Sequence, residues 1–405
     1  MRLVLNNFYN LGFIKLFLIL FPLIITPILI SKLGLPEYGH YAFYMGLFSY
    51  AVVFISYGFE ETGALGVSRC VNDGDFFGSR HLAFSIYTAK SFLLVIVSAV
   101  LLLLYFALDL SPEVLCFLIL GVSEVFNPIF YLHGCQKLFY VSAATLVSKV
   151  SFLIFVLFFV DEYSSPASVV FANGFIALIV NFFVSSFYVF GRFDFSIKSS
   201  ISAAPGLLRQ SASLGMSNFI PTIKDKGSVV ILGMYGDMNI VAIFDLMMKY
   251  LGVAFMPVTV LNSSYFPKMS INYSWRDFRN ILFVSMFYSV LCLCGTALAI
   301  PYLVDMYYPA YSTYTTQLSF LVLAVVFYSL SVLIAKNYLI VKSYLNDVLY
   351  STLAATMFYC LLAYLLILYN SVTVSSLVIL TVATFFMEMV LRIILLSVRE
   401  RKLLG

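Results

Sequence analysis

Charge is what this chain has least of: Asp, Glu, Lys and Arg make up 10% of 405 residues, against 62% hydrophobic. The mean hydropathy of +1.01 lies far outside the usage of water-soluble domains. The net charge is only +4 and no basic domain is present, which excludes nucleic-acid binding as a main activity. The 6 cysteines are scattered, with no CxxC and no Cys/His cluster, so neither a disulfide frame nor a metal site is indicated. His40, His81 and His133 sit at the ends of apolar runs and are not spaced as metal ligands. No P-loop, nucleophile elbow, HExxH or paired-acid motif occurs in a loop, so hydrolytic or ATP-driven chemistry has no seat and the chain reads as a non-enzyme without a cofactor. The apolar runs lack the short-period alternation of a transmembrane barrel, and the first run lacks a small-residue cleavage site, so it reads as a retained span.

What is abundant is long apolar sequence. Windows of about twenty residues give about twelve candidate membrane helices. In the first half they are Asn10 to Ile30, Tyr41 to Phe59, Leu82 to Leu108, Val114 to His133, Phe139 to Val160 and Ala167 to Phe190. In the second they are Ser213 to Tyr235, Ile240 to Asn262, Ile281 to Val304, Thr316 to Lys336, Val348 to Tyr369 and Val374 to Leu396. Helices satisfy their own backbone in lipid, so the fold class is an all-α polytopic membrane protein. A Ser-rich connection, Gly191 to Ala212, divides the chain, predicting a six-helix lobe over 1–198 and another over 199–405. Six spans per half give both lobes the same orientation, related by an axis along the membrane normal. A loose echo of Leu33, Gly34 and Ala42 in Leu232, Gly233 and Ala242 accompanies this.

Basic residues in short loops stay in the cytoplasm. Arg2, Arg69, Arg80, Lys137, Arg192, Lys198, Arg209, Lys268, Arg276, Arg279, Lys342, Arg399, Arg401 and Lys402 all fall on one side. The other side holds Lys32 among Glu37, Asp109, Glu113, Asp161, Glu162, Asp237 and Asp305. Both termini are therefore expected in the cytoplasm.

Against this background the charges inside spans stand out. The stretch SLGMSNFIPTIKDKGSVVILGMY places Lys224, Asp225 and Lys226 mid-span, where each charge costs about 2.5 to 3.5 kcal/mol. The expectation is one span, loosened by Pro221 and Gly227, whose charged face looks into a wet cavity. Lys224 and Lys226 are ~200° apart on a regular helix, so only one of them faces a given spot. Asp245 and Lys249, four apart, read either as a self-neutralising pair or as a base that trades its acid for an anion. Glu388 and Arg392 repeat the spacing, with Arg392 expected to snorkel. Lys149 and Glu124 have no partner within a turn: they pair with each other, or Lys149 joins Lys224, Lys226 and Lys249 in a cationic cavity shared by both lobes. Glu60 and Glu61, beside Gly58 at the end of the second span, read as an interfacial pair or as carboxylates coupling transport to an ion. Pro22, Pro27, Pro128, Pro221 and Pro257 bend their spans.

Several stretches then resemble a known family. PILISKLGLPEYGHYAF (Pro27 to Phe43) is similar to the "P…LG…EYG" signature at the first outward turn of Wzx-type polysaccharide flippases, within the multidrug/oligosaccharidyl-lipid/polysaccharide (MOP) exporter superfamily. YGFEETGALGVSR (Tyr57 to Arg69) resembles that family's "GF…R" segment, and NPIFYLHGCQKLFYVSAATLVSKVSF (Asn127 to Phe152) its passage from span four to span five, where Pro128, Gly134 and Lys137 match. SSYFPKMS (Ser263 to Ser270), YYPAY (Tyr307 to Tyr311) and KNYLI (Lys336 to Ile340) extend the likeness into the second half. The resemblance implies two six-helix lobes in the inner membrane that move an undecaprenyl-diphosphate-linked oligosaccharide, such as an O-antigen repeat unit, between leaflets by alternating access. It also implies contact with membrane lipids and with other polysaccharide-assembly proteins. A diphosphate needs cations at membrane depth, and Lys149, Lys224, Lys226 and Lys249 are those available, with Glu60, Glu61, Glu124, Asp225 and Asp245 as charge partners or ion-coupling groups. The alternatives are a cation-coupled multidrug exporter, and a membrane polymerase or glycosyltransferase acting on the same lipid carrier.

Overall fold

The computed structural model describes residue 17 and residues 20–108, 112–190, 197–271, 273–307 and 314–404. The first half of the first expected span, the acidic loop at 109–111 and the start of the central connection lie outside the described residues. Among the described residues the chain is helical, with no strand.

Two compact units divide it, Met1–Thr222 and Ile223–Gly405, and their border falls inside one helix. The first unit contains α1 (Leu20–Leu33), then α2 (Leu35–Ser56), α3 (Phe59–Asn72), α4 (Phe76–Leu108), α5 (Leu118–Val125), α6 (Ile129–Gly134), α7 (Leu138–Phe159) and α8 (Pro166–Ser185). The helix α9 (Ile197–Tyr235) carries the border. The second unit continues with α10 (Met238–Ile271), α11 (Trp275–Tyr307), α12 (Thr315–Leu321), α13 (Leu323–Ile334), α14 (Leu345–Leu368) and α15 (Val374–Leu404). Among the described residues ten helical stretches are long and apolar enough to cross a membrane, and α1 and α9 cover the described parts of the other two windows. The described parts of the expected windows thus fall on helices, apart from breaks at Tyr57–Gly58 and Phe126–Pro128.

Both units hide a core yet leave large apolar side chains outside. Phe106, Phe158, Phe183 and Phe283 are each more than 70% exposed, as suits helices whose outer surface meets hydrocarbon. Inside, hydroxyls are satisfied by their own helix: Ser85, Thr88, Thr145, Thr381 and Thr384 each donate to a carbonyl four residues back. Such bonds let buried polar atoms sit in apolar spans.

Proline has less effect than expected. Pro205 and Pro221 lie inside α9, which runs unbroken for 39 residues, about 58 Å. Residues 197–212, expected as connection, are its first turns. The expected loosening at Pro221 and Gly227 is absent, because a proline removes one hydrogen bond and the remaining turns carry the helix on. Pro128 does interrupt its span, between α5 and α6. Another interruption falls at Tyr57 and Gly58, both left-handed (φ 47° and 73°), so Glu60 and Glu61 open α3 instead of closing α2. In the structure Gly34 (φ 81°) caps α2, whereas Gly233 lies within α9, so the echo between these glycines is one of sequence only.

Candidate functional site

The first unit contains a cavity of about 370 Å³ between α2, α5, α6, α7 and α8. Its wall is mixed, with Phe48, Val52 and Leu120 on the apolar side and the carboxamides of Asn127, Asn173 and Asn181 on the polar side. Ser49, Ser123, Thr145 and Ser148 add hydroxyls. Among the described residues two ionisable side chains line it, Glu124 from α5 and Lys149 from α7.

The interruption at Pro128 shapes this wall. Pro128 has no N–H, so the carbonyl of Glu124, four residues earlier, loses its helical donor. Two other groups supply it: Asn127 N–H at 3.2 Å and the ammonium of Lys90, from α4, at 3.0 Å. Lys90 also donates to Glu124 Oε1 at 2.7 Å, while Asn127 Nδ2 donates to Oε2 at 2.9 Å. Asn127 Oδ1 in turn accepts from the backbone N–H of Ile129 at 3.2 Å, fixing the first turn after the break. Lys90 is 1% exposed, one of the largest fully buried side chains. The sequence reading passed over it. The sequence carries two separate signs, a lysine deep in an apolar run with no acid within a turn, and a span-breaking proline whose acceptor four residues back is vacant.

Glu124 therefore pairs with Lys90 and not with Lys149. Among the described residues Lys149 has no carboxylate within ion-pair distance, and its ammonium lies 5.7 Å from the Phe21 ring. Asn173 is buried, and its carboxamide makes no hydrogen bond among the described residues. Asn181 is spent on Ser123, with its Nδ2 3.1 Å from the carbonyl. Glu60 is half-buried in electrostatic reach of Lys90 and Glu124, and exposed Glu61 accepts from Asn218 at 3.5 Å.

The second unit holds the other expected lysines. Lys224 is ion-paired with Glu388 on α15, and its ammonium stands 5.0 Å from the Phe385 ring. Glu388 is shared: its Oε1 accepts from Arg392 at 2.6 Å. The expectation that Arg392 snorkels is not met. It is 6% exposed and donates to Ser331, Ser351 and Thr352 at 2.7, 3.3 and 3.1 Å, because α13 and α14 supply hydroxyls that replace headgroup water. Lys249 pairs with Asp245 at 2.7 Å, in the i,i+4 geometry the spacing predicts. Asp225 and Lys226 are exposed on α9. Since α9 is unbroken, Lys224 and Lys226 point apart: Lys224 turns to Glu388 and Lys226 away from it.

Gly227 and Ser228 seat this part of α9 against α14. Ser228 Oγ and Tyr359 Oη are 3.0 Å apart, and a Cβ on Gly227 would stand 2.6 Å from that same Tyr359 oxygen. Deeper in the second unit, Phe255 stacks on Tyr328 at 4.0 Å, and Phe385 meets both edge-on.

A family model described as polysaccharide biosynthesis protein matches residues 4–272. Among solved structures, the inward-facing conformation of a multidrug resistance MATE family transporter of the MOP superfamily is similar, with a TM-score of 0.72 at 13% identity over 94% of this chain and 94% of that one. A MOP superfamily transporter from Pyrococcus furiosus, described as having a binding pocket of reverse polarity, is similar at 0.60 and 13% identity, covering 98% and 94%. The outward-facing conformation of a MATE family transporter gives 0.59 at 13% identity over 94% and 95%. No curated protein matches the chain. At these identities the solved structures speak for the fold, and the family model speaks for the membership. This chain belongs to the polysaccharide biosynthesis protein family and is a multi-pass membrane protein with the fold of the MOP-superfamily transporters.

Proposed function

We propose that the protein moves a lipid-linked oligosaccharide, carried on undecaprenyl diphosphate and built as a repeat unit of surface polysaccharide such as O-antigen, across the inner membrane by alternating access. The observation that carries this reading is Lys149. It is a cation inside the bilayer-spanning part of the first unit, on the wall of a cavity rich in carboxamides and hydroxyls, with no carboxylate of its own among the described residues. An ammonium withdrawn from water is stabilised by an anion, and phosphate oxygens accept its donors well. Carboxamides and hydroxyls are the groups that hydrogen-bond sugar hydroxyls. A cavity of about 370 Å³ lies in the range of small-ligand sites, sized for a headgroup fragment and not for a polyprenyl tail.

On this reading Lys224 and Lys249 would exchange Glu388 and Asp245 for the passing diphosphate, and Lys226 would meet it from the exposed face of α9. Glu60, Glu61, Glu124, Asp225 and Asp245 are the carboxylates available to couple the cycle to an ion. Both termini lie in the cytoplasm. Membrane lipids and other polysaccharide-assembly proteins are the partners.

Deleting the gene should abolish surface polysaccharide and leave the lipid-linked unit accessible only from the cytoplasmic leaflet. Complementation with Lys149→Ala should restore transport to no more than about a tenth of wild type, the loss expected for one charge-assisted contact. Full transport by Lys149→Ala at normal abundance would remove the basis of the reading. Altered drug sensitivity with intact polysaccharide would favour a multidrug exporter, and single repeat units still reaching the surface would favour a polymerase.

A further inference from the structure

We propose that Lys90 is a specificity-determining positioning residue: by occupying Glu124 it withholds from Lys149 the carboxylate that shares the cavity, and so leaves the cavity one positive charge for a phosphate or diphosphate group. This rests on the anion-carrying reading of the cavity given above.

The geometry is that of a group held by both ends. Lys90 is outside the cavity lining, yet its ammonium grips Glu124 at Oε1 (2.7 Å) and at the backbone carbonyl (3.0 Å). Asn127 takes Oε2. Both carboxylate oxygens are thus engaged, one by Lys90 from outside the lining and one by Asn127 on the wall itself, and the carbonyl stripped of its donor by Pro128 is satisfied by the same ammonium. Glu124 is also the acidic residue on the cavity wall, and Lys149 the basic one. Without Lys90, Glu124 would be a buried carboxylate facing a cavity whose only cation among the described residues is Lys149. Charges withdrawn from water pair with what is nearest. A Glu124–Lys149 pair would cancel the charge of the cavity and deny it to an anion. Glu60 lies within electrostatic reach of the pair but does not line the cavity, so it does not compete for Lys149 there.

The two members of one ion pair should therefore act in opposite directions on anion binding. A pair whose role is only structural would weaken binding alike when either member is replaced.

The test uses the full chain purified in detergent, with inorganic diphosphate as the probe and thermal stabilisation at constant ionic strength as the readout. Lys149→Met should weaken the apparent affinity for diphosphate at least about tenfold. Lys90→Gln keeps a donor for the Glu124 carbonyl but removes the charge, and should weaken it as much. Glu124→Gln should keep or tighten it. The double variant Lys90→Gln/Glu124→Gln should return to within about threefold of wild type, since Lys149 is again without a carboxylate. If Glu124→Gln weakens binding as Lys90→Gln does, the inference fails while the reading of the cavity stands. If Lys149→Met binds diphosphate like wild type, both fail. Should Lys90→Gln not accumulate, Glu124→Gln decides alone: binding kept or tightened supports the inference, and binding lost overturns it.

Discussion

An ammonium or a carboxylate held inside a membrane bundle needs its partners at hand, and each unit solves this with one shared carboxylate. In the first unit Glu124 is divided between Lys90 and Asn127; in the second Glu388 is divided between Lys224 and Arg392. Removing one member strands the rest, which for a buried pair costs about 3 to 5 kcal/mol. Arg392→Ala should therefore lower the melting temperature in detergent and the amount inserted more than Lys249→Ala does, since Lys249 and Asp245 are partly exposed. Arg392→Lys should not rescue it, because an ammonium cannot reach Glu388 and the hydroxyls of Ser331, Ser351 and Thr352 together as a planar fork does. Equal stability of the lysine and arginine forms would count against the fork. The i,i+4 pairs were legible from spacing alone, because a helix fixes which neighbours share a face. The surroundings of Lys90, Lys149 and Lys224 were not, since the carboxylates of Lys90 and Lys224 lie more than thirty residues away and Lys149 has none among the described residues.

At the scale of helices, small residues decide where backbones meet. Gly58 approaches α9 so closely that a Cβ would stand 2.8 Å from the amide nitrogen of Gly215 and 2.9 Å from the carbonyl carbon of Leu214. Its φ of 73° adds a second reason for glycine. At Gly227 the obstacle is a side-chain hydroxyl, which can move. Gly58→Ala should thus destabilise more than Gly227→Ala, for which overpacking costs about 1 to 3 kcal/mol. Adding Tyr359→Phe to Gly227→Ala should recover part of the loss, and thermal melts of the four proteins would settle the order. In the opposite sense, Ser343 follows the π-helical stretch Ala335–Ile340 that continues α13 and lies in the left-handed region (φ 63°), with Tyr344 N–H donating to the Leu339 carbonyl at 2.7 Å. Ser343→Gly should gain up to about 1 kcal/mol by relieving that conformation. Gln136 (φ 57°) ends the passage from the fourth to the fifth window with the same pattern of hydrogen bonds. Asn370 (φ 49°) ends α14 with the same pattern, a common way for a helix C-terminus to satisfy its last carbonyls. Hydropathy could not show these turns, because it measures solubility in lipid and not the sign of φ.

For the whole molecule, the arrangement of loop charge makes a testable statement about sidedness. Cysteines placed at Asp161 and Lys342, both exposed, should label oppositely with a membrane-impermeant thiol reagent: Asp161→Cys from outside, Lys342→Cys only after permeabilisation. Labelling of both from the same side would overturn the twelve-span topology.

Composition alone made this chain a helical membrane protein, because ~30 Å of hydrocarbon requires about twenty apolar residues per crossing and a backbone that satisfies itself. Those constraints act locally, residue by residue along one helix, and so can be read from a string of letters. Which lysine meets a carboxylate among the described residues and which does not was decided only by tertiary structure. Coulomb attraction depends on distance through space, and it was the approach of α4 to α5 and of Lys224 to Glu388 that gave Lys90 and Lys224 their carboxylates, while Lys149 has none among the described residues.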